Sequence, residues 1–519
     1  MYATIGSLFL QTVRKYGKEE ALVDSLRNVR WTYEEWNLEV NRLSNALLDS
    51  GVKKGDRVSA FLFNTVELAT LFFSCAKIGA VLNPINFRLK PNEIAYIIED
   101  AQPSVFIYEK ALEPIVAEIH EHYPGVSFWS TDANVPAYAE SYAQHVRLSK
   151  ESEPQSDVDE NDLYAIMYTS GTTGRPKGVM HKHRSMLEQS ILCGASLQMK
   201  QADRGLVVAP MFHCAELHCN FLPRVHFGAA NIILHHFEPR KVLETIQEEK
   251  ITVFFAAPTM WNMILQEDLS LYDRSSLRVG LYGAAPMAPA LVVAVKEKLG
   301  INLIQAYGMT EMGPAVTFLD EHEQLSKVGS AGRSALNHEV RVVRSNEHGP
   351  SDPEAILPAG EIGEIIVKGP CMMMGYYNRP EASEEAMHKG WYHSGDLGYM
   401  DDENYLFVSD RVDDMIISGG ENVYPREIED VLHGHEGVLD VAVLGQPDEK
   451  WGEIVTAIIV KKEGALTAED LELFCKESPD LADYKRPRKY VFLNELPRNA
   501  SGKIQKFRLR EQFHLESNA

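Results

Sequence analysis

The stretch YTSGTTGRPKGV at residues 168–179 gathers four hydroxyl residues (Thr169, Ser170, Thr172 and Thr173), Gly171 and Gly174 just ahead of Lys177. A loop of this composition brings backbone N–H groups, hydroxyls and one ammonium close to a polyphosphate. Gly171, Gly174 and Lys177 lie three apart, and Lys177 is followed by Gly178, so the pattern is not G-x-x-x-x-G-K-[ST]. The apolar run Leu163-Tyr-Ala-Ile-Met167 directly ahead reads as a buried strand, which places the glycines in a loop leaving a sheet.

Further clusters follow in order. They are Tyr307-Gly-Met-Thr-Glu311, Tyr392-His-Ser-Gly-Asp396, Asp410-Arg-Val-Asp-Asp414, Gly419-Gly-Glu-Asn422 and Pro497-Arg-Asn-Ala-Ser-Gly-Lys503. Glu311 offers a hard oxygen suited to Mg²⁺, after a strand end of the kind where ligands sit. The run His213-Cys214-Ala-Glu-Leu-His218-Cys219 raises metal ligation, but its spacing matches no common zinc finger. The basic cluster Tyr484-Lys-Arg-Pro-Arg-Lys489 stands out in an acidic chain.

The elements that must position these residues are legible as alternation. Short apolar runs at 205–210, 230–234, 252–256, 278–282 and 302–305 are separated by helical stretches such as 240–249 and 289–299. This argues for an α/β fold with largely parallel sheets covered by helices. From about 329 the runs shorten (340–343, 364–367, 405–408), as in a smaller β-rich subdomain, while 149–162 is an acidic surface loop. The last hundred residues read as a separate α+β unit. A helix over 426–433 follows Pro425, with strands at 438–444, 454–460 and 489–493 and a helix at 468–476. The expected cut is 1–412 against 413–519, with the β-rich subdomain at about 329–412.

At 519 residues the chain exceeds one ordinary core. A net charge of −23 argues against nucleic acid as a partner and requires local basic clusters wherever a polyanion binds. Six cysteines form no CxxC pair, which fits reduced thiols and a cytoplasmic location. The N-terminus lacks a basic start and a cleavage site, and the C-terminus lacks Ser-Lys-Leu. The apolar stretch 68–82 is broken by Lys77 and too short to span a bilayer, leaving peripheral membrane contact open.

The ordered motifs together resemble the adenylate-forming superfamily, and within it the fatty-acyl and aryl acyl-CoA ligases. The resemblance implies a large N-terminal domain of two helix-covered sheets plus the β-rich subdomain, then a mobile C-terminal domain. It implies an enzyme that turns a carboxylic acid and MgATP into acyl-adenylate and pyrophosphate, then transfers the acyl group to coenzyme A. ATP, Mg²⁺ and CoA are thus the expected ligands, and a homodimer is left open.

Residue by residue, the family pattern assigns Thr169, Ser170, Gly171, Thr172, Thr173, Gly174 and Lys177 to the phosphates. Gly283, Ala284, Ala285, Gln305, Tyr307, Gly308 and Thr310 join them at the nucleotide, with Asp396 on the ribose and Arg411 in support. Mg²⁺ falls to Thr169 and Glu311, and Lys503 is the catalytic lysine. His213, Ala306 and Gly308 line the acyl pocket, where Gly283, Ala284, Ala285 and Gly313 also leave room for an apolar tail. Gly419, Gly420, Trp451, Arg486 and Arg488 meet CoA, and Asp413 is the hinge. A medium- or long-chain fatty acid is the favoured substrate, with an aryl or alicyclic acid as the alternative. Amino-acid adenylation would want an acidic residue near 213, where Glu216 lies out of place. Luciferase chemistry shares the first half-reaction. A sensor without turnover would usually lack the lysine or the acidic ligand, and both are present.

Overall fold

Short β-branched runs alternating with helices can bury both faces of a sheet, and the chain does so twice. The computed structural model describes residues 4–513 except 25–26, 170–175, 286, 347–348, 412–413, 415, 419–420, 449–450, 463, 479–480, 482 and 499–503. The chain divides into two units. One holds Met1–Val328, Gly332–Glu339 and Lys368–Tyr392, and the other Gly329–Ala331, Val340–Val367 and His393–Ala519. The stretch 329–412, expected within the first domain, is therefore shared between them.

In the first unit a nine-stranded sheet has the order Arg333–Ser334, Ala315–Leu319, Asn302–Gly308, Val279–Gly283, Val253–Phe255, Arg204–Val207, Ala230–Ile233, Glu20–Asp24, Val29–Thr32. Its middle is parallel from Asn302–Gly308 to Glu20–Asp24, and antiparallel strands flank it at both edges. An eight-stranded sheet runs Gly375–Tyr376, Lys177–Lys182, Leu163–Thr169, Val81–Pro84, Arg57–Phe61, Val105–Tyr108, Ser127–Ser130, Glu140–Ser141. Pairing is parallel from Leu163–Thr169 onward and antiparallel before it.

The helix Val66–Ile78 lies in the core of this unit. Thr65 caps its first turn by accepting from Leu68 N–H, and Gly79 ends it at φ 73°. Phe72 and Phe73 pack with Phe9, Trp36 and Phe221. Lys77, which interrupts the apolar run, is compensated inside the core. Its ammonium donates to Asn37 Oδ1 and Asn41 Oδ1 at 2.7 Å each and pairs with Glu153 at 2.6 Å. Among the described residues no helix is long and apolar enough to cross a membrane. All six cysteines are free and buried.

The second unit carries two smaller sheets. In one, Glu339–Val343, Gly363–Lys368, Trp391–Met400 and Leu406–Arg411 are successive neighbours. The other has the order Glu421–Val423, Ile416–Ser418, Gly452–Lys461, Val438–Asp448, with Lys489–Leu493 parallel to Gly452–Lys461. Period-two alternation splits its faces. Val441 and Val443 pack with Ile428, Leu432 and Leu471 of the helices Pro425–His433 and Ala468–Glu477. Ala442 and Leu444 pack with Leu496 and Leu509 on the other side.

Candidate active site

The strand Leu163–Thr169 turns back into its own sheet as Lys177–Lys182, with Thr169 opposite Lys177. Thr169 and Lys177 are thus the last paired residues of the described part of this antiparallel pair. Ser170, Gly171, Thr172, Thr173 and Gly174 lie outside the described residues, as do Asp413, Gly419, Gly420 and Lys503. The stem is defined: Thr169 Oγ1 lies 3.5 Å from Lys177 O, and the Lys177 ammonium sits 4.8 Å from the centre of the Tyr376 ring.

Asn302–Gly308 carries Gln305, Ala306, Tyr307 and Gly308 to the sheet edge, and the 3₁₀ turn Thr310–Met312 follows. Gly313 at φ 92° lets the chain double back, and Met309 N–H donates to Pro314 O at 3.1 Å. A Cβ on Gly308 would stand 1.8 Å from Pro314 O, and one on Gly283 would stand 2.6 Å from Ala306 O. Backbone thus occupies the space that these two glycines were expected to leave for a tail. Ala284 holds φ 65°, a left-handed conformation rare for a residue with a side chain. The Tyr282 hydroxyl lies 2.9 Å from Gln305 Oε1.

Glu311 is buried, and its Oε1 accepts from the Tyr376 hydroxyl at 2.8 Å. Its backbone carbonyl accepts from Met373 N–H at 2.8 Å. Among the described residues no other side chain hydrogen-bonds this carboxylate. One hard oxygen is held and the other uncommitted, which fits Mg²⁺ with Thr169 as the second expected ligand.

The Thr310–Gly313 turn is supported from behind. Cys214 Sγ lies 3.4 Å from Thr310 Oγ1. The His218 Nδ1 lies 3.2 Å from Gly313 O, and its Nε2 meets the Tyr164 hydroxyl. A carbonyl only accepts, so Nδ1 carries the proton and Nε2 takes the Tyr164 hydrogen. Burial, with His181 beside it, holds His218 neutral far below the ordinary histidine range.

His213 is half-buried, and its Nδ1 accepts from Ala215 N–H at 3.1 Å, capping the turn Cys214–Glu216. Glu216 pairs with Arg224, both fully buried, so the acidic group weighed for an amine substrate is engaged internally. His213, Cys214, His218 and Cys219 do not converge. Among the described residues, one group of potential ligands comes within reach of a single ion: Asp320, Glu321 and His322, of which His322 is exposed.

These buried imidazoles make a pH prediction. Burial lowers His181 and His183 to about 4, against about 6.5 in an unfolded chain. Between those values the unfolded chain binds protons that the folded one refuses, so stability present above pH 6.5 is lost as pH falls toward 4. Each contributes on the order of 3 kcal/mol across the window. Glu216, which burial raises to about 7 against the pull of Arg224, works in the opposite direction. The imidazoles outnumber it, with His226 also lowered to about 4. Tm should drop steeply between pH 6.5 and 4, and a flat profile would contradict the buried neutral state.

In the second unit Asp396 is nearly buried, and its N–H donates to Ser394 Oγ at 3.0 Å. It pairs across strands with Arg411. The Arg488 guanidinium stacks 4.5 Å from the Trp451 ring, which brings two of the expected CoA residues together. Arg486 turns instead to Asp483 at 3.2 Å, Lys485 pairs with Glu427, and Lys489 donates to Gln446 at 2.9 Å. The basic cluster is thus largely tied into its own domain.

An apolar wall lies on one face of the nine-stranded sheet. Val253, Phe255, Val279, Leu281 and Ile304 meet Leu197 and Met199, with Ala215 and Ala306 at the margin. A small cavity of about 10 Å³, room for about one water, lies here, with Asn220 its one polar side chain. Asn220 sits on the π-helical turn Leu217–Phe221, a rare element that often marks functional sites.

Sequence reasoning missed Tyr376 and Tyr164 as members of this site, and weighed His218 only as a metal ligand. The one local signal for Tyr376 is Gly375 before it, whose φ of 138° permits the tight pairing with Lys177–Lys182.

Comparison with known proteins agrees with this geometry. The family model described as "AMP-binding enzyme" matches residues 9–377, and "AMP-binding enzyme C-terminal domain" matches 427–503. The long-chain-fatty-acid–CoA ligase FadD13 of Mycobacterium tuberculosis (strain CDC 1551 / Oshkosh) is 38% identical, covering 98% of each chain. A feruloyl-CoA synthase of an Amycolatopsis species is 37% identical over 93% of this chain and 94% of its own. The crystal structure of the anthranilate CoA ligase AuaEII in complex with anthranoyl-AMP superimposes with a TM-score of 0.89 at 28% identity, covering 98% and 97%.

Proposed function

The chain belongs to the AMP-binding enzyme family and is an acyl-CoA synthetase, and from that premise we propose that it activates a medium- or long-chain fatty acid. The acid's carboxylate attacks the α-phosphorus of MgATP, acyl-adenylate forms and pyrophosphate leaves. The CoA thiol then displaces AMP to give the thioester. One observation carries the reading. The cation Lys177 and the carboxylate Glu311 meet on Tyr376, while an apolar wall ends at Ala306, on the strand that also carries Tyr307 and Gly308.

In this proposal residues 169–174 and Lys177 hold the β- and γ-phosphates, and Thr310 reaches the α-phosphate. Bound by Glu311 and Thr169, Mg²⁺ supplies charge neutralisation to the polyphosphate. Asp396 accepts from the ribose hydroxyls with Arg411 in support. Lys503 brings a positive charge to the reacting phosphorus, and a swing about Asp413 later removes it so that Gly419, Gly420, Trp451 and Arg488 meet CoA. The Arg486–Asp483 contact makes Arg486 the weaker member of that set.

An aryl acid is the second reading, favoured by the likeness to feruloyl and anthranilate ligases. Carboxylate-dependent exchange of pyrophosphate into ATP separates the two. Straight-chain acids from medium to long should support exchange and CoA-dependent AMP release far better than benzoate- and cinnamate-type acids. The reverse order would replace the fatty-acid reading with the aryl one.

A further inference from the structure

We propose that Tyr376 is a positioning residue that sets the carboxylate of Glu311 and the ammonium of Lys177 for one polyphosphate while keeping the two charges from pairing with each other. This rests on the acyl-CoA synthetase reading and deepens it.

The backbone around Tyr376 already joins the two elements concerned. Tyr376 pairs with Val179, Met374 N–H donates to Met180 O at 2.9 Å, and Tyr377 N–H donates to Gly178 O at 2.7 Å. On the other side Met373 N–H reaches Glu311 O at 2.8 Å. Tyr376 N–H is itself fixed by Ser383 Oγ at 2.8 Å. The side chain repeats the connection at the level of charge. Its hydroxyl donates to Glu311 Oε1 at 2.8 Å, a charge-assisted bond that fixes the carboxylate's rotation. Its ring face receives the Lys177 ammonium at 4.8 Å, in the diagonal cross-strand position.

Neither Lys177 nor Glu311 carries an ion pair among the described residues. A direct lysine–carboxylate contact would cancel both charges and consume N–H donors. A phenol between them does neither. The ring attracts the ammonium without accepting its hydrogens in the way an oxygen would, so its donors stay available for phosphate oxygens. The hydroxyl occupies one carboxylate oxygen and leaves the other for a cation. Outer groups of this kind typically tune cation affinity by about 10- to 100-fold.

The test compares Tyr376→Phe, which keeps the ring, with Tyr376→Leu, which removes it. Binding of Mn²⁺, read by electron paramagnetic resonance with a non-hydrolysable ATP analogue, should weaken about 10-fold in Tyr376→Phe. The Mg²⁺ concentration for half-maximal pyrophosphate exchange should rise in parallel, with Tm and the KM for the acid unchanged. Tyr376→Leu should in addition raise the KM for pyrophosphate. A cycle with Glu311→Gln should be non-additive, since the hydroxyl acts through that carboxylate. Parent-like Mn²⁺ binding in Tyr376→Phe overturns the proposal, as does a loss of Tm with additive effects, which marks a merely structural tyrosine. If the parent chain itself shows no carboxylate-dependent exchange, the synthetase reading fails instead.

Discussion

Lys503→Ala is expected to form acyl-adenylate at least about 100-fold more slowly than the parent chain, the scale set by removing one oriented charge stabiliser. The physical demand is plain. A carboxylate attacking a phosphate brings two anions together, and the five-coordinate phosphorus gathers negative charge as it forms. An ammonium already in place meets that charge without solvent reorganisation. The thiol attack in the second step has no such need at the same atom. Thioester formation from supplied acyl-adenylate should therefore stay near the parent rate. Rapid-quench measurement of each half-reaction decides it, and equal losses in both would remove Lys503 from its proposed role.

Gly308→Ala is expected to lose about 100-fold in pyrophosphate exchange, as when reacting groups are displaced by an ångström. The new methyl would stand 1.8 Å from Pro314 O, and that neighbour is backbone. No flexible side-chain end can yield, so the turn carrying Thr310 and Glu311 must shift. An overpacking cost of about 1–3 kcal/mol should accompany the loss. Gly125, where an added Cβ meets nothing within 4 Å, supplies the neutral control as Gly125→Ala. Parent-level exchange in Gly308→Ala would show that the turn is free to move without consequence.

The parallel strands were readable because each is a short apolar run whose burial on both faces demands such residues. Val253–Phe255 and Val279–Gly283 are examples, and the helices Pro239–Glu249 and Pro289–Leu299 fall where expected. The return strand Lys177–Lys182 was not foreseen, since its Lys-Gly-Val-Met-His-Lys sequence shows no strand alternation. Its buried face includes His181, a polar residue that periodicity counts against a core. Tyr376 escaped notice for a different reason. Its meaning comes from partners distant in sequence, brought near by the pairing with Val179. Gly283 and Gly308 were read as room for a ligand, whereas the chain uses them for close backbone approach. Local composition cannot tell these apart, because both call for the absence of a side chain. Likewise Arg486 and Arg488 look equivalent in sequence, yet one faces Asp483 and the other Trp451.

The six sequestered sulfhydryls have a practical consequence. Desolvation drives Cys214 up to about 12 and Cys75 further, so almost no thiolate exists at these two near neutrality. An alkylating dye would find nothing to modify on intact molecules, and its uptake would count excursions to opened forms. The molecule thus carries a native reporter of its own breathing, spread over both units and needing no engineered label.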